Sequence, residues 1–241
     1  RTTTTGLGES PLLSNGHGGF GKRPKETDRS KDRHRALGRL HKRRDDGTDK
    51  TIHDLLRWHL REKKKRLADP GLVVLDTQSI HVAAGVPAST TGKDAAKRVP
   101  GRKRGLAVDV LGLVIAVVML AASAHENTAG IALLDRVAAT TEGTVTKALA
   151  DQGFKNAVVT HGAGLGINVE IAERNPAGKG FVPQPRRWVV EQTYGILMFH
   201  RRLVRDYEHL PASSESRVYW AMTDVMSRRL TRGPAPPERW T

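Results

Sequence analysis

Residues 106–124, LAVDVLGLVIAVVMLAASA, form one long apolar run, and this run constrains the fold more than any other feature of the chain. A stretch of this length is either a membrane helix or a set of buried strands. Asp109 and Gly112 interrupt it and β-branched residues crowd it, so two adjacent strands joined at VLGL account for it better than a spanning helix. The text on either side has the same grain. LVVLDTQSI, from Leu72, reads as a buried strand with an acid at its end. TAGIALLDRVAAT reads as a helix, and TVTKALAD as a further strand that also ends on an acid. A helix near 152–163, a strand INVEIAER, a long helix from about Arg186 and a last helix from about Ser213 to Leu230 follow. Strands interleaved with helices predict an α/β domain built on a mixed sheet.

At 241 residues the chain can hold one good-sized domain and an extension. Its net charge of +15 favours a polyanionic partner, of which nucleic acid is the commonest. Aromatic residues make up only 5%, which argues against a strand-length base-stacking platform. There is no cysteine, so disulfides and thiolate metal sites are excluded, and a reducing cytoplasm fits. The first thirty residues hold no signal-type apolar stretch, and the chain reads as soluble.

Charge is concentrated early. From Gly21 to Arg66 there are 18 basic and 8 acidic residues, a net of +10, or two thirds of the whole excess. Residues 1–37 lack periodicity and read as a disordered basic tail. Residues 38–69 read as a basic helical segment, 70–232 as the α/β domain and 233–241 as a tail. Within the helical segment, Thr51 and Asp54 suggest a capping box, and Ile52, Leu55, Leu56 and Leu60 an apolar stripe, with the helix ending near Leu67. Its tail of Lys63, Lys64, Lys65 and Arg66 suits a phosphate backbone as well as it suits a solvated helix face.

Three acids stand out. Asp76 and Asp151 close strands, where α/β folds place ligands, and Glu191 lies on the helix after the last strand. Brought together, three carboxylates repel one another unless a hard cation neutralises them; Mg²⁺ takes such oxygen donors and bridges phosphate oxygens. Arg187, one turn before Glu191, shares its helical face and could meet a phosphate or hold the glutamate. Each acid also has an ordinary explanation, a turn aspartate or an exposed helix ion pair, and spacing alone leaves both open.

The wording around these acids resembles a family. VLDTQSI, then GKDAAKRVPGRKRGLAVDVLGL, then LADQGF, then PRRWVVEQTYGILMFHRRLVRDYE occur in the order found in the DDE domain of bacterial insertion-sequence transposases, over roughly residues 38–230. The resemblance implies a ribonuclease H-like fold with Asp76, Asp151 and Glu191 as catalytic, metal-binding acids. It also implies Mg²⁺ (with Mn²⁺ as the alternative), cleavage at mobile-element ends, and strand transfer into target DNA. Thr77, Phe154 and Gln192 replace the serine, tyrosine and arginine of the family's wording, and Gln184 and Met198 stand where some relatives carry a tyrosine and a lysine. Lys103 and Arg104 belong to the family's basic stretch, with Gly105 for its histidine. Asp109 is either a supporting acid or a turn-facing one, and His125 and Glu126 are further candidates.

Arg102, Lys103, Arg104, Lys63, Lys64, Lys65, Arg66, Arg201 and Arg202, with Arg187, are the expected contacts to the backbone of double-stranded DNA, at element ends and at the target. A homodimer that pairs two ends, and no membrane partner, follow from the same resemblance. Ahead of the domain the helical, tryptophan-bearing region of relatives is not recognisable in 1–37, which suggests a truncated or frame-shifted copy. The alternative function is an inactive transposase remnant that only binds DNA. A basic structural protein of a nucleoprotein particle would explain the charge but give the three acids no role.

Overall fold

The computed structural model describes residues 42–172 and 188–231. The disordered tail expected over 1–37, the tail at 233–241, Gln184 and Arg187 therefore lie outside the described residues. The elements run α1 (Thr48–Lys63), β1 (Leu72–His81), β2 (Gly92–Lys93), β3 (Pro100–Val108), β4 (Val114–Ala121), α2 (Glu126–Thr141), β5 (Lys147–Ala150), α3 (Asn156–Gly164), β6 (Asn168–Ile171), α4 (Trp188–Met198), α5 (Arg201–Val204) and α6 (Pro211–Thr231).

The long apolar run is a hairpin, as its interruption predicts. β3 and β4 pair antiparallel from Arg102↔Ala121 to Val108↔Val114. In the turn, Gly112 adopts φ +72, which glycine tolerates without strain, and Asp109 accepts the amides of Leu111 at 2.8 Å and Leu113 at 2.9 Å. Asp109 is thus the turn-facing acid of the two alternatives, and its other oxygen takes a hydrogen bond from Arg61.

β3 also pairs antiparallel with β1, which in turn pairs parallel with β5, and β5 with β6. The sheet runs β4-β3-β1-β5-β6, with the short β2 sharing β3's outer edge. This is the mixed α/β architecture the sequence predicts. Because side chains alternate across a strand, the sheet separates two cores. Val74, Leu106 and Val108 face α1, α4, α5 and α6. Val73, Leu75 and Ala107 face α2 and α3. Among the described residues no helix is long and apolar enough to cross a membrane.

α1 departs from the expected amphipathic helix. It starts at Thr48 behind Gly47, so Thr51 and Asp54 form no capping box, and Thr51 Oγ1 donates to the Gly47 carbonyl instead. The buried face is Asp49, His53, Asp54, Arg57, Leu60 and Arg61, whereas Leu55 is 47% exposed. α1 packs on α6, whose inward face begins with Ser213, Ser214 and Ser216, and a polar partner suits a polar face. The charges are tolerable because they are paired. Arg57 donates to Asp69 at 2.9 Å, Lys50 to Asp54, and His53 Nδ1 lies 3.1 Å from Asp54 and packs edge-on to Tyr219.

Arg102 and Arg104 are corrected by their burial: expected on DNA, they are 0% and 1% exposed. Arg102 reaches Asp206 at 2.9 Å, Ser214 at 3.2 Å, the carbonyls of Glu208 at 2.8 Å and His209 at 2.9 Å, and Thr90 Oγ1 at 2.6 Å. Arg104 donates to the Leu203 carbonyl at 2.9 Å. These side chains fasten the chain beyond α5 to the sheet and have no free face for a phosphate.

Two outcomes follow. Arg102→Ala strands Asp206 in the interior and should cost about 3–5 kcal/mol in urea denaturation, as breaking a buried ion pair does. For α1, burial alone would raise the Asp54 carboxyl, but hydrogen bonds from His53 and Lys50 outweigh it and hold it down to about 2 from its ordinary 3.8. A depressed carboxylate stabilises the fold above its unfolded value and loses that contribution as pH falls through the folded one. The stability advantage of wild type over Asp54→Asn should therefore be full at neutral pH, about 2 kcal/mol, and vanish between pH 3.8 and about 2. Burial, opposed by the Asp54 bond, keeps His53 below its ordinary 6.5, so its own contribution begins to fall below that pH.

Candidate active site

The β1–β5 register decides where the two aspartates stand. Leu72, Val73 and Val74 pair with Lys147, Ala148 and Leu149. These three rungs stop two residues short of both aspartates, Asp76 further along β1 and Asp151 just past β5. Asp151 immediately follows β5, as expected for a strand that ends on an acid. Asp76 differs from its expectation: β1 continues to His81, so the acid is mid-strand. The pairing with β5 nevertheless stops at Val74, which opens that flank of Asp76.

Strand alternation puts Asp76 on the face of Val74, under α4. α4 lies across that face because Val189, Val190, Tyr194 and Leu197 are buried in its core. Tyr194 fixes the helix to the acid's own backbone. Its hydroxyl is 2.9 Å from the Asp76 carbonyl and 2.9 Å from that of Arg104. Beside it Thr193 Oγ1 donates to the Gly112 carbonyl at 3.2 Å, tying α4 to the hairpin turn. Glu191, one turn before Tyr194, is exposed on the same side of the sheet as Asp76. Burial first, then the Asp76 carboxylate, pushes the Tyr194 phenol well above its ordinary range, so it remains a donor.

A further acid borders this place. Glu126, at the start of α2, accepts from Thr77 Oγ1 and from Lys103 Nζ at 3.0 Å. A Cβ on Gly153 would stand 3.0 Å from Asp151 Oδ1 and 3.4 Å from Glu126 Cγ, so these two side chains flank one glycine. Lys103, expected on DNA, is 4% exposed and also donates to the Ala124 carbonyl at 2.7 Å. It balances Glu126 internally. His125 is a helix cap, accepting the Asn127 amide at 3.1 Å.

The remaining basic candidates are at the surface. Lys63 to Arg66 are exposed around the end of α1, where Lys63 Nζ meets the Leu230 carbonyl at 2.8 Å. Arg201 and Arg202 are exposed on α5, Arg202 in an ion pair with Glu208 at 2.8 Å.

The site thus lies on a mixed sheet with β3 reversed, with Asp76 on β1, Asp151 just past β5 and Glu191 on the helix packed over β1. The transposase DDE domain family matches residues 67–213, more than half of the chain. The chain belongs to the DDE transposase family. No curated protein matches it. In this transposase the matched region runs from the residues before β1 into the first turn of α6, so it takes in all three acids and every strand. Membership gives it a function in transposition and DNA as its partner, and divalent ions are general to such enzymes. Among the described residues no three His, Asp or Glu side chains stand as a preformed metal cluster. The donor set is nonetheless of the right kind. It is all oxygen, with one carboxylate on β1 and another just past β5, and Gly153 keeps clear the space beside Asp151 that a side chain would fill.

Tyr194→Phe removes the donor shared by two buried carbonyls and should lower stability by about 1–3 kcal/mol in chemical denaturation. An unchanged midpoint would mean that this hydroxyl does not hold α4 to β1.

Proposed function

We propose that this transposase cleaves double-stranded DNA at the ends of a mobile element and joins the freed 3′ end to a target, with Asp76, Asp151 and Glu191 as its catalytic acids. What supports this reading is that Asp76 stands on β1 and Asp151 just past its partner β5, with Glu191 on the helix that packs over β1. These three carboxylates would hold Mg²⁺ (or Mn²⁺), which when bound lowers the pKa of a water and stabilises charge on a leaving oxygen. The protein's part is to fix its acids in place. Asp76 is held by a strand hydrogen-bonded on its β3 side, Asp151 by the turn after β5, and Glu191 by a helix locked through Tyr194 and Thr193.

In the first step water attacks phosphorus and gives up a proton while the P–O3′ bond breaks and the departing oxygen takes one up, leaving a 3′-hydroxyl and a 5′-phosphate. In the second that hydroxyl loses its proton as it attacks a target phosphodiester and expels a target 3′-oxygen, which takes up a proton. Lys63, Lys64, Lys65, Arg66, Arg201 and Arg202 are the exposed cations available to the DNA backbone, whose neutralisation makes binding salt-dependent. Arg187 is the candidate for the scissile phosphate. Bringing two ends together requires two such sites, and a homodimer supplies them.

The experiment is cleavage of a duplex oligonucleotide in Mg²⁺. Asp76→Ala and Asp151→Asn should lower the rate by at least 10²–10³-fold, the scale of losing one electrostatic anchor, and leave binding without metal unchanged. Equal products from wild type and both variants would remove the catalytic reading and leave a DNA-binding remnant.

A further inference from the structure

The outward face of α4 carries more than Glu191. At 100° per residue, Trp188, Glu191, Gln192, Gly195 and Phe199 fall within one arc about 100° wide, and all five are exposed. The opposite arc holds the buried Val190, Thr193, Tyr194 and Leu197. Phe199 is 89% exposed, the most exposed large apolar side chain among the described residues, and Trp188 is 50% exposed. Between Glu191 and Phe199 the face is low, since a Cβ on Gly195 would meet nothing within 4 Å.

Phe199 does not hang from a loose loop. Its amide donates to the Ile196 carbonyl at 3.2 Å, continuing the helical turn, and the next segment is fastened at several points. Leu203 is buried, and Asp206 bonds through its backbone to His81 at 2.9 Å and to Ala83 at 2.8 Å and through its side chain to Arg102. The ring therefore stands on a rigid base near the C-terminal end of β1, the direction in which Asp76 and Asp151 also lie. The segment that follows the ring presents cations. Arg201 and Arg205 are exposed, while the acids of the segment, Asp206 and Glu208, are buried and paired with arginines. An exposed ring followed closely in the chain by two exposed guanidiniums suits a base between phosphates.

We propose that Phe199 is a stacking platform for one unpaired nucleotide of the DNA engaged at the acids, with Arg201 and Arg205 on the adjacent phosphates. This rests on the DNA-cleaving reading above and adds a contact that selects local strand opening. Eight residues of helix separate Glu191 from Phe199, roughly 12 Å, which is about three to four base steps at 3.4 Å each. A strand crossing Glu191 along this face thus meets the ring a few nucleotides from the cut. The sparse aromatic content is no obstacle, because one nucleotide needs one platform.

The test compares two probes without divalent metal: a fully paired duplex, and the same duplex carrying one unpaired 2-aminopurine. Wild type should bind the second about tenfold more tightly, the scale of one base–aromatic stack, and quench its fluorescence. Phe199→Ala should lose both the preference and the quenching while binding the paired duplex as before. Arg201→Ala with Arg205→Ala should weaken both probes and reduce the salt slope. Equal preference in wild type and Phe199→Ala overturns this proposal and leaves the DNA reading intact. Failure of wild type to bind either probe overturns both. A self-association of wild type that Phe199→Ala abolishes, with no change in probe preference, would assign the ring to a second copy instead and likewise overturn the proposal.

Discussion

The parallel pairing of β1 with β5 is the constraint on which the rest depends. Three rungs, from Leu72↔Lys147 to Val74↔Leu149, fix the register. A slip of one residue would turn Leu149 to the other core and shift Asp151 relative to Asp76. The register is held because both faces are buried. Val73 and Leu75 belong to one core and Val74 to the other, so no shifted pairing satisfies both. The position of two negative side chains is in this way set by apolar packing, which does not depend on their charge.

The third acid is placed by a different kind of bond. α4 buries apolar residues on β1 and β3, but apolar packing alone lets a helix slide along its ridges. Tyr194 and Thr193 remove that freedom, each with a directional bond to a backbone carbonyl, one at Asp76 and one at Gly112. Glu191 then projects from a helix whose rotation and translation are both fixed. The segment after that helix is secured through Arg104 and Arg102, which bind the Leu203 carbonyl and Asp206. Catalytic positioning and the anchoring of the segment after α4 are therefore parts of one arrangement.

Much of this was legible in the sequence, and the misses have a common cause. The hairpin at 106–121, the helices α2 and α6, and Asp151 at the close of β5 follow from periodicity and composition, which report local structure. The strand pattern misjudged Asp76 as a strand end, because strand length depends on the partner: β1 outruns β5 by pairing with β3 as far as His81. The polar inward face of α1 was hidden since apolar residues are the usual guide to burial, and here Leu55 faces solvent while Arg57 is buried against Asp69. Arg102 and Arg104 read as a nucleic-acid patch because charge is visible in a sequence and its partner is not. Asp206 lies 104 residues further on. Tyr194, three residues after Glu191 on a helix, is the one missed residue that helical spacing could have flagged.

The central claim is that Asp76, Asp151 and Glu191 converge on one cation. Crystals grown with Mn²⁺ and measured at its anomalous edge test this directly. The account predicts a manganese peak bridging the carboxylates of Asp76 and Asp151, with Glu191 turned toward it from α4. Manganese bound elsewhere, or a peak at the aspartates with Glu191 facing away from it, would contradict the account.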